Sequence, residues 1–227
     1  MTRSIRSALV AAALACASLP AFAALKPFNA DYTANYMGLE GNARMTLDAS
    51  GGSRWTYSLQ IQSAVAQLSQ STVFDAGGDA WRPLSGHDMS SVLIKKSDKQ
   101  ATYDWSHNQA TWSGDVKEDR RAAPPGRAGD LDAMLLNLAI VRDVHAGNTA
   151  LHYRMVDEGK AKDMSYRVAG KETLTLAGKA RQATRVEGVD GSRQTVLWVV
   201  DDLPVPARIL RRHDGKDEMD LRLRAVH

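Results

Sequence analysis

The sequence predicts a mostly β protein: a strongly curved antiparallel sheet or incomplete β-barrel with one apolar mid-chain helix packed on or in it. Three observations predict this. Apolar and polar residues alternate with period two along most of the chain, the pattern of half-buried strands. Gly, Asn and Asp punctuate the alternation at short, even intervals, as in antiparallel sandwiches and barrels. One segment, residues 130–145, instead carries apolar residues at helical spacing.

The elements follow in order. From Phe28 to Met37, the residues Phe28, Ala30, Tyr32, Ala34 and Tyr36 share one face, with Asn29, Asp31, Thr33 and Asn35 between them. Gly38 to Gly41 turn the chain, and Ala43, Met45 and Leu47 then line one face. Ser50 to Gly52 turn it again. Trp55, Tyr57, Leu59 and Ile61 alternate with Thr56, Ser58, Gln60 and Gln62. STVFDAGGDAW reads as a strand, a Gly77-Gly78 turn and another strand; SVLIKKSDKQATYDW and NQATW read as two further hairpins. The second half, from TALHYRMVDEG to the C-terminus, repeats the style, giving about fourteen candidate strands in all.

Arg120 to Gly129 is a Pro/Gly-rich connector, and DLDAMLLNLAIVRDVHAGN after it predicts a helix. Asp130 can cap its start by accepting from free backbone N–H groups. Gly147 or Asn148 can end it with a left-handed residue. Leu131, Met134, Leu135, Leu138 and Val141 form one stripe, widened by Leu136, Ile140 and Val144. A helix this apolar needs cover on most sides, which makes it the natural plug or lid of a curved sheet.

The N-terminus indicates export. Arg3 and Arg6 precede an apolar run that ends at Pro20 and an Ala21-Phe22-Ala23 cleavage pattern. This predicts a signal peptide over 1–23, a single domain over 24–227 and a periplasmic location. The apolar run is too short for a membrane span, and no later stretch is long and apolar enough for one. Ala13-Leu14-Ala15-Cys16 makes a poor lipobox, because its leucine stands one place too close to the cysteine. Cys16 is the only cysteine, so cleavage leaves no thiol or disulfide chemistry. Losing Arg3 and Arg6 lowers the formal charge from +3 to +1. With both signs interspersed, that argues against a nucleic-acid partner.

Several segments together carry a family resemblance. These are FNADYTANYMG-LEGNARMTL, DAWRPLSGH, DLDAMLLNLAIVRD and TVLWVVDDLPVPARILRR, in that order. The arrangement resembles DUF3108, a family of exported bacterial envelope proteins of unknown function. The resemblance implies export and a mostly-β fold, and it implies no activity. A looser, fold-level similarity is to the Lol-type lipoprotein carriers, incomplete barrels whose concave apolar face is covered by helices and holds acyl chains.

No chemistry stands out in the residue pattern. His87, His107, His145, His152, His213 and His227 lack metal-ligand spacing, and no cysteine could assist them. There is no G-x-S-x-G and no phosphate-binding glycine loop, so no catalytic residue, metal or cofactor is assigned. The pairs Asp157-Glu158, Asp201-Asp202 and Asp217-Glu218 fall at strand ends beside Gly or Pro, where solvated acids are ordinary.

Two segments point to an apolar ligand. In YDWSHNQATW a two-residue turn at His107-Asn108 pairs Tyr103 with Trp112 and Trp105 with Ala110, all on one face. These rings either pack a core or line an apolar pocket. Met134 and Leu138 on the helix could repack against a lipid tail. The candidate ligand-binding residues are Tyr103, Trp105, Trp112, Met134 and Leu138. The expected function is a non-enzymatic periplasmic protein that binds or carries an apolar or amphipathic envelope ligand such as a lipid. The alternative is an envelope structural or interaction module that docks on a protein partner. The closing stretch, Asp201 to His227, predicts a hairpin about Asp214-Gly215. It puts Val205, Ala207 and Ile209 on the same face and the charges of Asp220, Arg222 and Arg224 on the solvated one.

Overall fold

The structure, a computed structural model, describes residues 25–78, 80–124 and 126–227. The expected signal peptide and Cys16 lie outside the described residues. Among the described residues thirteen strands form one antiparallel sheet, against the fourteen or so expected. They are β1 (Phe28–Tyr36), β2 (Leu39–Ala49), β3 (Arg54–Ser63), β4 (Ala66–Asp75), β5 (Arg82–Val92), β6 (Lys95–Asp104) and β7 (Gln109–Gly114) before α1 (Ala133–His145), the one α-helix among the described residues. After it come β8 (Ala150–Asp157), β9 (Lys160–Leu176), β10 (Lys179–Asp190), β11 (Arg193–Val199), β12 (Arg208–His213) and β13 (Lys216–Val226).

The spatial order is β7-β6-β5-β4-β3-β2-β1-β13-β12-β11-β10-β9-β8. The first strand therefore lies at the centre, between β2 and β13. The chain meanders outward by hairpins to one edge, crosses with α1 to the other edge, and meanders back. Period-two patterning fixes which face turns inward. Phe28, Ala30, Tyr32, Met45, Leu47 and Tyr57 are all buried on the concave side, packed with α1.

The two edges do not pair with each other; the connector between β7 and α1 bridges them. On one side Trp112 N–H donates to Arg121 O at 2.8 Å, and Ala123 N–H donates to Ala110 O at 3.0 Å. On the other, Leu131 N–H donates to Arg154 O at 3.0 Å and Val156 N–H to Leu131 O at 2.8 Å. The incomplete barrel is thus stitched along a seam by irregular chain, which satisfies backbone groups that two bare edges would leave open.

α1 starts two residues later than expected, and the cap is Asp132 rather than Asp130. Asp132 accepts from Leu135 N–H at 2.8 Å. Asp130 is held elsewhere: it accepts from Arg127 N–H at 2.8 Å and pairs with Arg154 at 2.5 Å. Both carboxylates satisfy the chemistry of a cap, but Leu131 is committed to the bridge with β8, so the helix cannot begin before it. The C-terminus matches expectation. Gly147 is left-handed (φ 85°), its N–H donates to Val144 O at 2.9 Å, and Asn148 N–H donates to Asp143 O at 3.0 Å. That is a Schellman ending. Seven helical residues are buried, Met134 to Leu136 and Leu138 to Val141.

Two expected registers are corrected. In the β6–β7 hairpin Tyr103 faces Ala110 and Ala101 faces Trp112, so the loop is Trp105 to Asn108, four residues rather than two. Asp104 folds this longer loop by accepting from Ser106 N–H (3.0 Å) and His107 N–H (3.2 Å), and Asn108 supplies the left-handed residue (φ 52°). At β12, Ala207 belongs to a second apolar cluster with Leu210 and Trp198 on the convex face, while Val205 and Ile209 face the main core. The 200–207 loop folds back over that face, so this end of the sheet is buried on both sides. The Asp214-Gly215 turn forms as expected, with both residues left-handed (φ 49° and 74°).

Candidate functional site

Three of the five residues expected to bind a ligand come together. Tyr103, Trp112 and Met134 line a small cavity of ≈ 30 Å³ at the seam, between β4–β6, the start of α1 and the end of β8. Tyr103 and Trp112 meet edge-on, with ring centroids 5.9 Å apart. Trp105 is not with them. It sits in the β6–β7 loop, where its Nε1 donates to Pro83 O at 2.6 Å and the Arg82 guanidinium lies 5.9 Å from its ring. The register shift moved it off the strand. Leu138 is buried in the main core and does not line the cavity.

The cavity is acidic rather than apolar. Asp88, Asp132 and Asp157 all line it, with Lys99, Gln70 and Thr72. Asp132 accepts from the Thr72 hydroxyl as well as capping α1. Lys99 is ion-paired with Glu158 across the seam. Burial pushes the Asp88 carboxyl up to about 6, aided by the charge of Asp157. Burial also pushes Asp132 up to about 6, against the hydrogen bonds from Leu135 and Thr72 that favour its ionised form. Asp157 is raised by burial and by neighbouring Glu158. The expectation that Asp157-Glu158 is a solvated pair is corrected for Asp157, which the β8–β9 turn directs inward. A volume of this size holds a water, not an acyl chain.

The histidines are scattered. His145 Nε2 lies 3.2 Å from Val200 O, His87 Nε2 3.0 Å from Asp98 and His107 Nδ1 2.6 Å from Asp104. Among the described residues no three His, Cys, Asp or Glu side chains are placed to hold a metal ion. A second hollow, of ≈ 530 Å³, lies about β1, β2 and β13 and includes Asp31, Arg44 and His227, with Arg44 Nε 2.7 Å from Asp31.

The surface is more distinctive than the interior. Among the described residues, the exposed large apolar ones are Met37, Leu39, Val65, Met89, Leu93, Ile94 and Val189. All of them lie toward the same end of the sheet. The β1–β2, β3–β4, β5–β6, β8–β9, β10–β11 and β12–β13 turns share that end because successive strands reverse direction. The C-terminus of α1 is at the other end, where His145 reaches Val200 and Arg142 stacks 4.5 Å from the Trp81 ring. Leu93 N–H donates to Val65 O at 2.9 Å and so ties two neighbouring tips together. The sequence carried a signal for this rim: the SVLIKK hairpin has Leu-Ile where turn chemistry calls for Gly, Asn or Asp. Nothing local foretold the acid cluster, whose members come from β5, the start of α1 and β8.

A family model, DUF3108 (protein of unknown function), matches residues 28–222. No curated protein matches the chain. Among solved structures, the chain is similar to the crystal structure of a β-barrel-like protein of domain of unknown function DUF1849 from Brucella abortus. The two are 11% identical, the match covers 88% of this chain and 96% of that one, and the TM-score is 0.46.

Proposed function

The chain belongs to the DUF3108 family of unknown function, and from that premise we propose a non-enzymatic periplasmic module that binds an apolar or amphipathic envelope molecule at the barrel rim. The observation that carries this is the gathering of exposed large apolar side chains at one end. Isolated surface apolars are ordinary, but a group confined to one end of a molecule marks a contact surface.

Interior cargo fits less well. α1 occupies the concave face with seven buried residues, and the cavity beside it is ≈ 30 Å³ and lined by three aspartates. An acyl chain there would displace core side chains and desolvate carboxylates. Docking by a sheet edge is also less favoured, because the connector already pairs with parts of β7 and β8.

Flotation of the purified protein with envelope membranes, followed by lipid extraction of the unbound protein, tests the proposal. The expected result is reversible association, with no stoichiometric lipid in the soluble protein. Lack of association refutes rim binding. A tightly held lipid in one-to-one ratio would instead restore the carrier role.

A further inference from the structure

Met37 and Leu93 stand at hairpin tips with left-handed backbone, φ 50° and 54°. Glycine and asparagine adopt that conformation readily, whereas a bulky apolar residue does so against local preference. Both side chains also face solvent, at 68% and 73% exposure, and Ile94 beside Leu93 is 96% exposed. Hydration and backbone geometry therefore both oppose the residues found there. Such local violations persist where the side chain meets something.

The β1–β2, β3–β4 and β5–β6 turns are neighbours, two strands or roughly 10 Å apart. Their tips make a row of protruding apolar side chains: Met37 and Leu39, Val65, then Leu93 and Ile94. Lys95 and Lys96 follow directly and are exposed. Glu40 is the one acid within these three tips (37–40, 64–65 and 93–96). The β12–β13 tip beside Met37, where Glu218 O accepts from Met37 N–H at 2.8 Å, and the tips beyond it carry charges of both signs, some of them paired, as in Lys162–Asp190 and Arg212–Asp217. Apolar tips backed by exposed lysines are complementary to one kind of surface, an apolar layer under an anionic one.

We propose that this row of tips inserts into the interface of an anionic lipid bilayer, with Lys95 and Lys96 on the headgroups. The proposal rests on rim binding and adds its partner. Leu93 and Ile94 supply most of the insertion, and the lysines supply the preference for negative charge.

Co-sedimentation of the folded protein with vesicles of phosphatidylglycerol mixed with phosphatidylcholine, against pure phosphatidylcholine, tests it. Binding is expected to the anionic vesicles and to weaken as salt rises. The double substitution Leu93→Asp with Ile94→Asp should lower it by roughly tenfold or more. Lys95→Glu with Lys96→Glu should lower it by roughly fivefold per lysine and remove the preference for phosphatidylglycerol. Leu93→Gly with Ile94→Ser provides a variant whose first change suits the left-handed backbone, so weakened binding with an unchanged thermal melt excludes misfolding as the cause. Binding that ignores all three variants overturns the proposal. So does capture of one envelope protein through the same tips without vesicle binding, although rim binding then stands. Failure to bind vesicles, envelope membranes or protein overturns both.

Discussion

Lys99 on β6 and Glu158 in the β8–β9 turn are ion-paired across the seam, where no strand ladder joins the two edges. The same ammonium lowers the carboxyls of Asp88 and Asp157, which burial raises. One cation therefore holds three acids from both sides of the gap. Lys99→Met should cost about 1–3 kcal/mol near neutral pH, because it takes the main counter-charge from partly buried carboxylates. Glu158→Gln should cost much less, since it also removes a repulsive acid beside Asp157. Urea unfolding of both variants checks the asymmetry.

The acid cluster gives stability a definite pH slope. Asp88 and Asp132 have folded values of about 6, above the ordinary aspartate value of 3.8. The folded state therefore binds protons that the unfolded state releases between these limits. Their contribution to stability rises as pH falls through about 6 and levels off near 4. Denaturant midpoints measured across that window should increase toward acid. Asp88→Asn should flatten the slope and stabilise the protein near neutral pH by about 1–2 kcal/mol. Below that window the trend reverses. Ser106 and His107 hold Asp104 well below the usual range, and Arg44 holds Asp31 below it, so the stability due to these groups is lost as they protonate.

Asp132 can be separated into cap and charge. Asp132→Asn keeps an acceptor for Leu135 N–H and removes a buried charge, so stability near neutral pH should hold or rise. Asp132→Ala removes the cap and leaves the Thr72 hydroxyl unpaired, and should cost about 1–2 kcal/mol. Helicity by circular dichroism, followed through the melt, distinguishes a shortened α1 from global loss.

Gly188 on β10 is a packing constraint. A Cβ there would stand 2.4 Å from the ring of Tyr166 on the neighbouring strand. Tyr166 is buried and stacks edge-on with Tyr153, centroids 6.3 Å apart, so it has little room to retreat. Gly188→Ala should destabilise by about 1–3 kcal/mol. Adding Tyr166→Leu should recover part of that loss, which thermal unfolding of the double variant would reveal.

Elements with strong local periodicity are legible in the sequence. The alternation from Phe28 to Ile61 predicts which residues enter the core, and Phe28, Tyr32, Met45 and Tyr57 are there. The apolar stripe predicts α1, and Asp-Gly predicts the last turn. Register was less legible, because Asp104 folds a four-residue loop that His107-Asn108 disguises as a tight one. The cap moved to Asp132 for a tertiary reason, the bridge of Leu131 with Met155. The cavity at the seam escaped the sequence altogether. Asp88, Asp132 and Asp157 each look like ordinary turn or surface acids, and only the curvature of the sheet brings them to one place.

The central position of β1 has a consequence for how the chain is made. Its second neighbour, β13, follows the twelve other described strands in sequence, and Asn29 and His227 exchange backbone hydrogen bonds at 3.1 and 2.8 Å. Strands β1 to β7 can pair as they emerge, hairpin by hairpin, but one edge of β1 then stays bare until β13 arrives. Until that late, long-range pairing forms, the half-built sheet presents a sticky edge. A chaperone that shields β1 during biogenesis would find its substrate there.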